Sequence, residues 1–353
     1  MSNYYHQLTK DIITIACDSE PDLEKVLNHY PVIKQLRVDS KVMKSLIDNL
    51  RNSVLKEAMR ENYELFVSKY FDFVDGRTSQ LFTVYIDGAP HKLSMPDIKI
   101  KFPKDPLFAE FPSLYGLLEL KNLKEYNRYH QLVSFSKIMK DRNRYSLVCP
   151  YCQASHIEFN NLDHFLPKTT FPILSIFEEN LIPICVFCNG RSIKGDVVPT
   201  IPIYHPYKFP KGILFEHVDF SFKGLNDSCD VIYDKSDSRV VNYINLFKIE
   251  ERYRDRQFIM DFQTIWTSII DTTKNNLRGT EPNSGTLFNI SEVKEELNKT
   301  IRTKISFLKY GEATSYTKFK IRMLETVDAG LIENAIRQIY FTLNSGFIRK
   351  STS

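Results

Sequence analysis

The sequence predicts an α+β fold in which mainly helical domains flank a small central module held together by zinc. Three observations lead to this prediction. Apolar residues recur at helical spacing over long stretches of both flanks. Short runs rich in β-branched and aromatic residues stand between them. Two identical C-x-x-C steps lie near the middle of the chain, which indicates a metal site rather than a disulfide in a reducing compartment.

The bulk composition is that of a globular protein with more than one module. The chain has 353 residues, of which 42% are hydrophobic and 25% are charged, and this length exceeds what one hydrophobic core usually serves. The net charge is only +4, which excludes a polycation and requires any nucleic-acid surface to be local. The N-terminus lacks the basic start and apolar core of a signal peptide, and no apolar run reaches the roughly 18 residues of a membrane helix. We therefore expect a cytoplasmic protein without a membrane partner.

The N-terminal region over residues 1–145 is predicted to be mainly helical. Residues 1–75 carry apolar side chains at helical spacing. Two β-rich runs flank Asp87-Gly88, a dipeptide that favours the tight turn of a β-hairpin. A long helix with one apolar face is then expected over 113–142.

Cys149, Cys152, Cys185 and Cys188 have the spacing of two zinc knuckles. A two-residue gap allows both thiolates of a pair to turn onto one tetrahedral ion, and four cysteines form a closed, structural site. The 32 residues between the two pairs exceed the usual ribbon spacing, which indicates that something is built inside the loop. A thioredoxin-like redox role suits a single C-x-x-C better than two pairs. We expect the central module, residues 146–200, to hold one structural Zn²⁺.

Four other residues with metal-ligand chemistry receive structural assignments. Cys17 and Cys229 have no cysteine partner at metal spacing and are expected to be buried thiols. His156 follows Cys152 by four residues, but with four cysteines present an imidazole on a strand surface is favoured over a zinc ligand. His205 is expected to pack a turn rather than reach the site.

The loop between the cysteine pairs carries acid, imidazole and amide groups. Asp163 and His164 end a predicted strand, and Asn180 begins a second one. A short helix is then expected to carry Asn189 and to end at Gly195. An aspartate oxygen suits Mg²⁺ or Mn²⁺, an amide oxygen supplies a second ligand, and a histidine can act as general base on water. Asn180 is expected to bond across the hairpin and fix the imidazole.

This arrangement resembles the HNH endonucleases, whose fold is the ββα-metal module. The resemblance covers residues 149–196. It implies that Asp163 and Asn189 hold one divalent metal on the scissile phosphate, that His164 activates the attacking water, and that Asn180 orients His164. The sequence departs from the commonest pattern in having Asn189 where histidine is usual, which makes it an H-N-N variant whose amide oxygen can still hold magnesium.

The segment is also similar to HNH proteins of bacterial anti-phage systems, such as the nuclease partner of the ATPase in Septu-type systems. The stretch L-D-H-F-L-P-K, together with the later C-N and lysine, carries this second resemblance. It implies a role in antiviral defence and an ATPase as partner protein.

Charge is distributed unevenly along the chain. The central module has three basic and five acidic residues, a net charge of −2, whereas residues 121–145 have a net charge of +5 and residues 299–322 of +6. A charge run in isolation is typical of a solvated face. Because phosphate neutralisation supplies most non-specific affinity for DNA, the two basic flanks are expected to provide it. The candidate nucleic-acid contacts are Lys168, Arg191 and Lys194 within the module and Lys137, Lys140, Arg142 and Arg144 before it.

The C-terminal region over 201–353 is predicted to be a β-meander followed by helices. A proline-punctuated stretch over 197–210 is expected to form an extended linker. The runs ILFEHVDFSF and CDVIYD predict short strands. Helices are expected over 240–275, 288–307 and 329–344.

The sequence thus predicts an HNH endonuclease that hydrolyses DNA, with structural Zn²⁺ and catalytic Mg²⁺ or Mn²⁺. The resemblance implies one ion that bridges a phosphate oxygen and the leaving 3′ oxygen, and products with 5′-phosphate and 3′-hydroxyl ends. A non-catalytic zinc-ribbon module that binds nucleic acid or protein explains the cysteines but not Asp163, His164 and Asn189 together. An RNase on the same scaffold is the other alternative, because no short motif reports the groove shape and 2′-hydroxyl contacts that separate RNA from DNA.

Overall fold

The computed structural model groups the chain into two compact units. It describes residues 4–18, 40–79, 81–117, 124–126, 132–134, 148–153, 162–190, 193–209, 212–222, 229–254, 256–279, 287–310 and 317–348. The first unit comprises 1–213 and 235–247, and the second comprises 214–234 and 248–353. The sequence-based division separated residues 1–145 from the central module, whereas the structure places both in the first unit.

Four helices open the first unit. They are α1 (Tyr4–Cys17), α2 (Ser40–Arg51), α3 (Lys56–Ser68) and α4 (Tyr70–Val74). The apolar spacing that predicted them places Ile12, Leu46 and Met59 in the core, and α1 packs against both α2 and α3. The helical character expected for this region is confirmed for the residues that are described.

The hairpin expected around Asp87-Gly88 is confirmed. β1 (Phe82–Ile86) pairs antiparallel with β2 (Ala89–Leu93). Asp87 and Gly88 have positive φ angles of 51° and 79°, as the central residues of a type I′ turn require. Phe82 and Val84 on one face of β1 are buried, which follows the period of two along a strand.

The long helix expected over 113–142 is wrong. After α5 (Met95–Lys101), helix α6 (Leu107–Leu117) ends well before that range is complete. A strand pair follows, in which β3 (Lys124–Tyr126) runs antiparallel to β4 (Leu132–Ser134). Aromatic and β-branched residues such as Tyr126 and Val133 favour strand pairing. The helix was predicted from an apolar spacing that included Leu132, and Leu132 lies in β4 instead.

The central module is built on two short antiparallel strands. These are β5 (Leu162–His164) and β6 (Leu181–Pro183), with Asp163 opposite Ile182 and His164 opposite Leu181. Their connection contains 3₁₀ turns at Pro172–Leu174 and Glu178–Asn180.

The helix expected to complete this module is not found in 186–190 or 193–196, which wind through turns. The N–H groups of Gly190, Ile193 and Val197 each bond a carbonyl three residues earlier. Gly195 has a φ of 47°, which ends any right-handed helix at that point. Of the predicted strand–strand–helix unit, the described residues therefore contain the two strands and the cysteine cluster but not the helix.

The stretch expected to be a linker is packed into the first unit. Ile203 and His205 are fully buried, and the Ile203 N–H donates to the Val74 carbonyl at 2.9 Å. His205 Nδ1 accepts from the Tyr207 N–H at 3.3 Å at the start of a 3₁₀ turn, Pro206–Lys208. His205 thus packs a turn, as expected from the sequence.

The second unit combines one strand pair with several helices. β7 (Val218–Phe222) pairs antiparallel with β8 (Cys229–Tyr233), which confirms part of the predicted meander. The first residues of the expected strand run instead form helix α7 (Ile213–His217). The remaining helices of this unit are α9 (Ile249–Tyr253), α10 (Arg256–Gly279), α11 (Ile290–Tyr310), α12 (Thr317–Glu325) and α13 (Ala329–Ile348).

The helices expected over 288–307 and 329–344 are confirmed by α11 and α13. The one expected over 240–275 is interrupted, because α8 (Ser238–Leu246) ends before Lys248, whose φ is 49°. α11 packs against α10, α12 and α13. Among the helices that the structure describes, none has both the length and the apolar composition of a membrane span.

Candidate functional site

The four cysteines of the two C-x-x-C steps form one buried cluster. The sulfur atoms of Cys149, Cys152, Cys185 and Cys188 all lie within 4.8 Å of one another. The sulfurs of Cys152 and Cys185 are 3.7 Å apart, and zinc–sulfur bonds of 2.3 Å in a tetrahedron place two sulfurs about 3.8 Å apart. Four buried cysteines at this separation can bind a zinc ion, and the donor set fits a structural site.

Both C-x-x-C steps reach this cluster through the same backbone turn. The N–H of Gln153 donates to the carbonyl of Cys149 at 2.7 Å, and the N–H of Asn189 donates to the carbonyl of Cys185 at 3.1 Å. The Cys188 N–H also donates to the Cys185 sulfur at 3.5 Å. The thiols contact one another closely enough that hydrogen bonds from the other three lower the pKa of Cys185, while burial and the same contacts raise the pKa of Cys152 and Cys188.

Asp163 is buried and both of its carboxylate oxygens are hydrogen-bonded. Lys194 Nζ donates to Oδ1 at 2.9 Å, and the Tyr151 hydroxyl donates to Oδ2 at 2.8 Å. Burial raises the pKa of Asp163, while the charge and hydrogen bond of Lys194 oppose that rise. Each carboxylate oxygen accepts at two lone pairs, so one acceptor position on each remains. The residue thus fits a divalent ion, although a buried ammonium already compensates part of its charge.

His164 is held at one ring nitrogen. Its Nε2 lies 2.8 Å from the Ser175 carbonyl oxygen, so Nε2 carries the hydrogen and Nδ1 is the acceptor. The Tyr115 ring packs edge-on against the imidazole at a centroid distance of 4.5 Å. Burial lowers the pKa of His164 to about 3, which keeps the ring neutral at neutral pH and makes it a weaker base than a free imidazole.

Asn180 does not touch the imidazole, which corrects the role expected for it. Its amide group donates to the carbonyls of Leu166 and Leu174, and its Oδ1 accepts from the Leu166 N–H at 2.7 Å and the Tyr70 hydroxyl at 3.0 Å. A fully buried amide needs all these partners. It therefore fixes the turn after β5, and the Ser175 carbonyl fixes the imidazole.

One cleft brings together three of the four predicted catalytic residues. It has a volume of about 720 Å³ and is lined by Tyr115, Leu162, Asp163, His164, Pro167, Lys168, Asn189, Gly195 and Asp196. Asn189 lies 25 residues beyond His164 in the chain. The cysteine cluster brings Asn189 back to the same cleft as His164, because Asn189 directly follows Cys188. A carboxylate, an imidazole and an amide oxygen in one cleft can hold a hard cation and move a proton.

The predicted nucleic-acid contacts divide into three groups. Lys168 lines the cleft and burial lowers its pKa. Lys194 does not face a substrate, because only 1% of it is exposed and its ammonium is bonded to Asp163 and to the His164 carbonyl; the expected phosphate contact is therefore wrong. Arg191, Lys137, Lys140, Arg142 and Arg144 lie outside the described residues, as does His156.

Three of the seven basic residues in the run over 299–322 form ion pairs within the second unit. Arg322 is paired with Asp219 and Glu325, Lys309 with Glu325, and Lys299 with Glu296. These pairs reduce the charge that this run can offer to phosphate.

Three contributions to the site were not found by sequence reasoning. Tyr151 lies inside the first C-x-x-C step, and that position could have drawn attention to it. Tyr115 on α6 and Ser175 belong to no sequence motif. Both come to His164 through tertiary packing, in which the Ser175 hydroxyl donates to the Phe111 carbonyl at 2.7 Å.

Comparisons with known proteins give one short similarity. No family model matches the chain, and no solved structure matches it. The chain is similar to the Septu protein PtuB of Bacillus thuringiensis, with 39% identity over 46 residues. The match covers 12% of this chain and 18% of the relative's length.

Proposed function

We propose that this chain is a metal-dependent endonuclease of the HNH type that hydrolyses phosphodiester bonds in DNA. The observation that carries the proposal is the single cleft lined by Asp163, His164 and Asn189. A non-catalytic zinc ribbon needs only the four cysteines and does not explain why these three groups line one cleft. The four-cysteine cluster beside Asn189 has a structural role, because a closed four-cysteine site leaves no open position for catalysis.

Each residue of the cleft has a role in this proposal. His164 accepts a proton from the attacking water at Nδ1, because its Nε2 hydrogen is donated to the Ser175 carbonyl. Asp163 and Asn189 would hold the divalent ion through oxygen atoms. A bound Mg²⁺ or Mn²⁺ would stabilise the charge that builds on the phosphate during cleavage.

The short similarity to a Septu protein supports a place in anti-phage defence. We also propose an ATPase as partner protein, which is implied by the resemblance of the L-D-H-F-L-P-K stretch to HNH proteins of Septu-type systems. Plating efficiency of phages on cells that carry the gene with its neighbours tests this role, and His164→Ala provides the inactive comparison.

Cleavage of supercoiled plasmid with added Mg²⁺ or Mn²⁺ tests the nuclease directly. The wild type is expected to nick or linearise the plasmid. His164→Ala is expected to be slower by about 10²–10⁴-fold, the usual contribution of a general base, with unchanged zinc content and DNA affinity.

The matched control is His91→Ala, because His91 is exposed on β2 and is not among the residues that line the cleft. It is expected to cleave like the wild type. If His164→Ala cleaves at the wild-type rate, the assignment of nuclease activity to this cleft is wrong. Cleavage of RNA but not of plasmid would favour the RNase alternative on the same residues.

A further inference from the structure

One tyrosine ring contacts both the imidazole and the lysine of the cleft. Tyr115 packs on His164 with ring centroids 4.5 Å apart. Lys168 Nζ lies over the Tyr115 ring, 4.4 Å from its centroid, a distance at which the ring attracts an ammonium group. The three side chains therefore form a connected group that lines the cleft.

The position of Tyr115 is fixed by the same residue that fixes His164. The Ser175 hydroxyl donates to the Phe111 carbonyl on α6 at 2.7 Å, and the Ser175 carbonyl accepts from His164. Tyr115 lies one helical turn beyond Phe111 on α6. Because Ser175 bonds to both α6 and the imidazole, a shift of α6 relative to His164 would break one of these hydrogen bonds.

The charges of the residues that line the cleft indicate that Lys168 could bind a phosphate. Two carboxylates line the cleft, Asp163 and Asp196, and Lys168 is the only cation among its lining residues that the structure describes. Lys194 is buried and its ammonium is already bonded to Asp163. A phosphate that enters this cleft meets one positive side chain, and a long lysine chain needs a support to keep its ammonium in one place.

We propose that Tyr115 is a positioning residue that holds the Lys168 ammonium in a phosphate-binding subsite of the cleft, next to His164. This inference rests on the proposed function for its substrate class, a nucleic-acid phosphate. Lys168 contacts the phosphate, and Tyr115 acts only through Lys168 and the imidazole that it packs against.

Binding of a short DNA duplex at several salt concentrations, with no divalent ion added, tests the subsite without cleavage. Each phosphate contact contributes about 0.9 to the slope of log affinity against log salt. Lys168→Gln is expected to reduce the slope by about 0.9, and Tyr115→Leu is expected to reduce it by a similar amount. The double variant is expected to lose no more than either single variant, and Tyr115→Phe is expected to match the wild type.

A lysine elsewhere in the first unit serves as the matched control. Lys208 also lies over an aromatic ring, 5.1 Å from the centroid of Phe71, but it is paired with Asp75 and lies outside the cleft. Lys208→Gln is expected to leave the slope unchanged. Thermal melting checks each variant, and Tyr115→Met, whose flexible chain can refill the gap, replaces Tyr115→Leu if the latter does not fold.

An unchanged slope for Lys168→Gln overturns the subsite. Additive losses in the double variant, or an unchanged slope for Tyr115→Leu alone, overturn the positioning role. These results are separable from the nuclease assay. A chain that shows the expected slopes but never cleaves contradicts the proposed function alone, and a chain that cleaves with all slopes unchanged contradicts the subsite alone.

Discussion

Lys194 has 1% of its surface exposed, and its ammonium donates to Asp163 Oδ1 at 2.9 Å and to the His164 carbonyl at 2.6 Å. A charge without a partner at such a depth would be strongly unfavourable. The pair therefore orients Asp163 and the backbone of β5 together. The sequence places Lys194 in the same motif as Asn189, but only the packing shows that its charge is directed inward.

Removing one partner of this pair is expected to destabilise the protein more than removing both. Lys194→Met should lower the free energy of unfolding by about 3–5 kcal/mol, because it leaves a buried carboxylate without its cation. The double variant Lys194→Met/Asp163→Leu should be more stable than the sum of the two single changes predicts, since neither charge then remains unpaired. Urea unfolding of all four proteins measures this coupling.

The control for that series is Arg337→Met, because Arg337 and its partner Glu333 are 71% and 68% exposed. An exposed pair contributes about 0–1 kcal/mol, so this change should be nearly neutral. Additive losses in the Lys194 and Asp163 series would contradict a specific interaction between the two residues.

At the scale of elements, the two C-x-x-C turns depend on the cluster that they form. Freshly purified, reduced protein is expected to contain about one zinc per chain, because four sulfurs at tetrahedral separation have little other reason to be buried together. Cys185→Ser should lose the zinc and lower the stability of the module, with Cys17→Ser as the control. Elemental analysis that finds no zinc in the wild type would contradict this prediction.

Local signals predicted some elements and failed for others for physical reasons. The Asp87-Gly88 hairpin and the cysteine cluster follow from backbone preference and ligand spacing, which act over a few residues. The helix expected over 113–142 fails because β3 and β4 pair with each other, and pairing is invisible to the helical period of a single stretch.

The residues of the candidate site likewise include some that the sequence predicted and some that only the packing shows. Asp163, His164 and Asn189 carry a recognisable spacing, and the structure brings them to one cleft. Tyr115 reaches His164 only because α6 packs onto Ser175. No spacing rule links residues 49 positions apart on different elements, so sequence reasoning could not have found this contact.

At the scale of the whole molecule, positive charge is available unevenly. The sequence assigned a net +6 to residues 299–322, but Lys299, Lys309 and Arg322 are ion-paired within the second unit. The central module is itself net negative. Under the proposed function, we therefore expect the basic segment over 121–145 and Lys168 to contribute more to DNA affinity than residues 299–322.

A variant with Lys137, Lys140, Arg142 and Arg144 changed to Gln is expected to bind duplex DNA more weakly and with a shallower salt dependence. Each phosphate contact that is lost should lower the slope by about 0.9. The effect should be alike for unrelated sequences, because phosphate contacts carry no base information. Binding titrations at several salt concentrations measure both quantities.

The matched comparison removes four positive charges from α11 by changing Lys299, Arg302, Lys304 and Lys309 to Gln. Because two of these are already paired with carboxylates, the slope should change less than in the first variant. Equal changes would mean that total charge, rather than its location, governs binding. An unchanged slope in the first variant, together with loss of a co-purifying ATPase, would mean that the segment before Cys149 docks a protein partner instead of DNA.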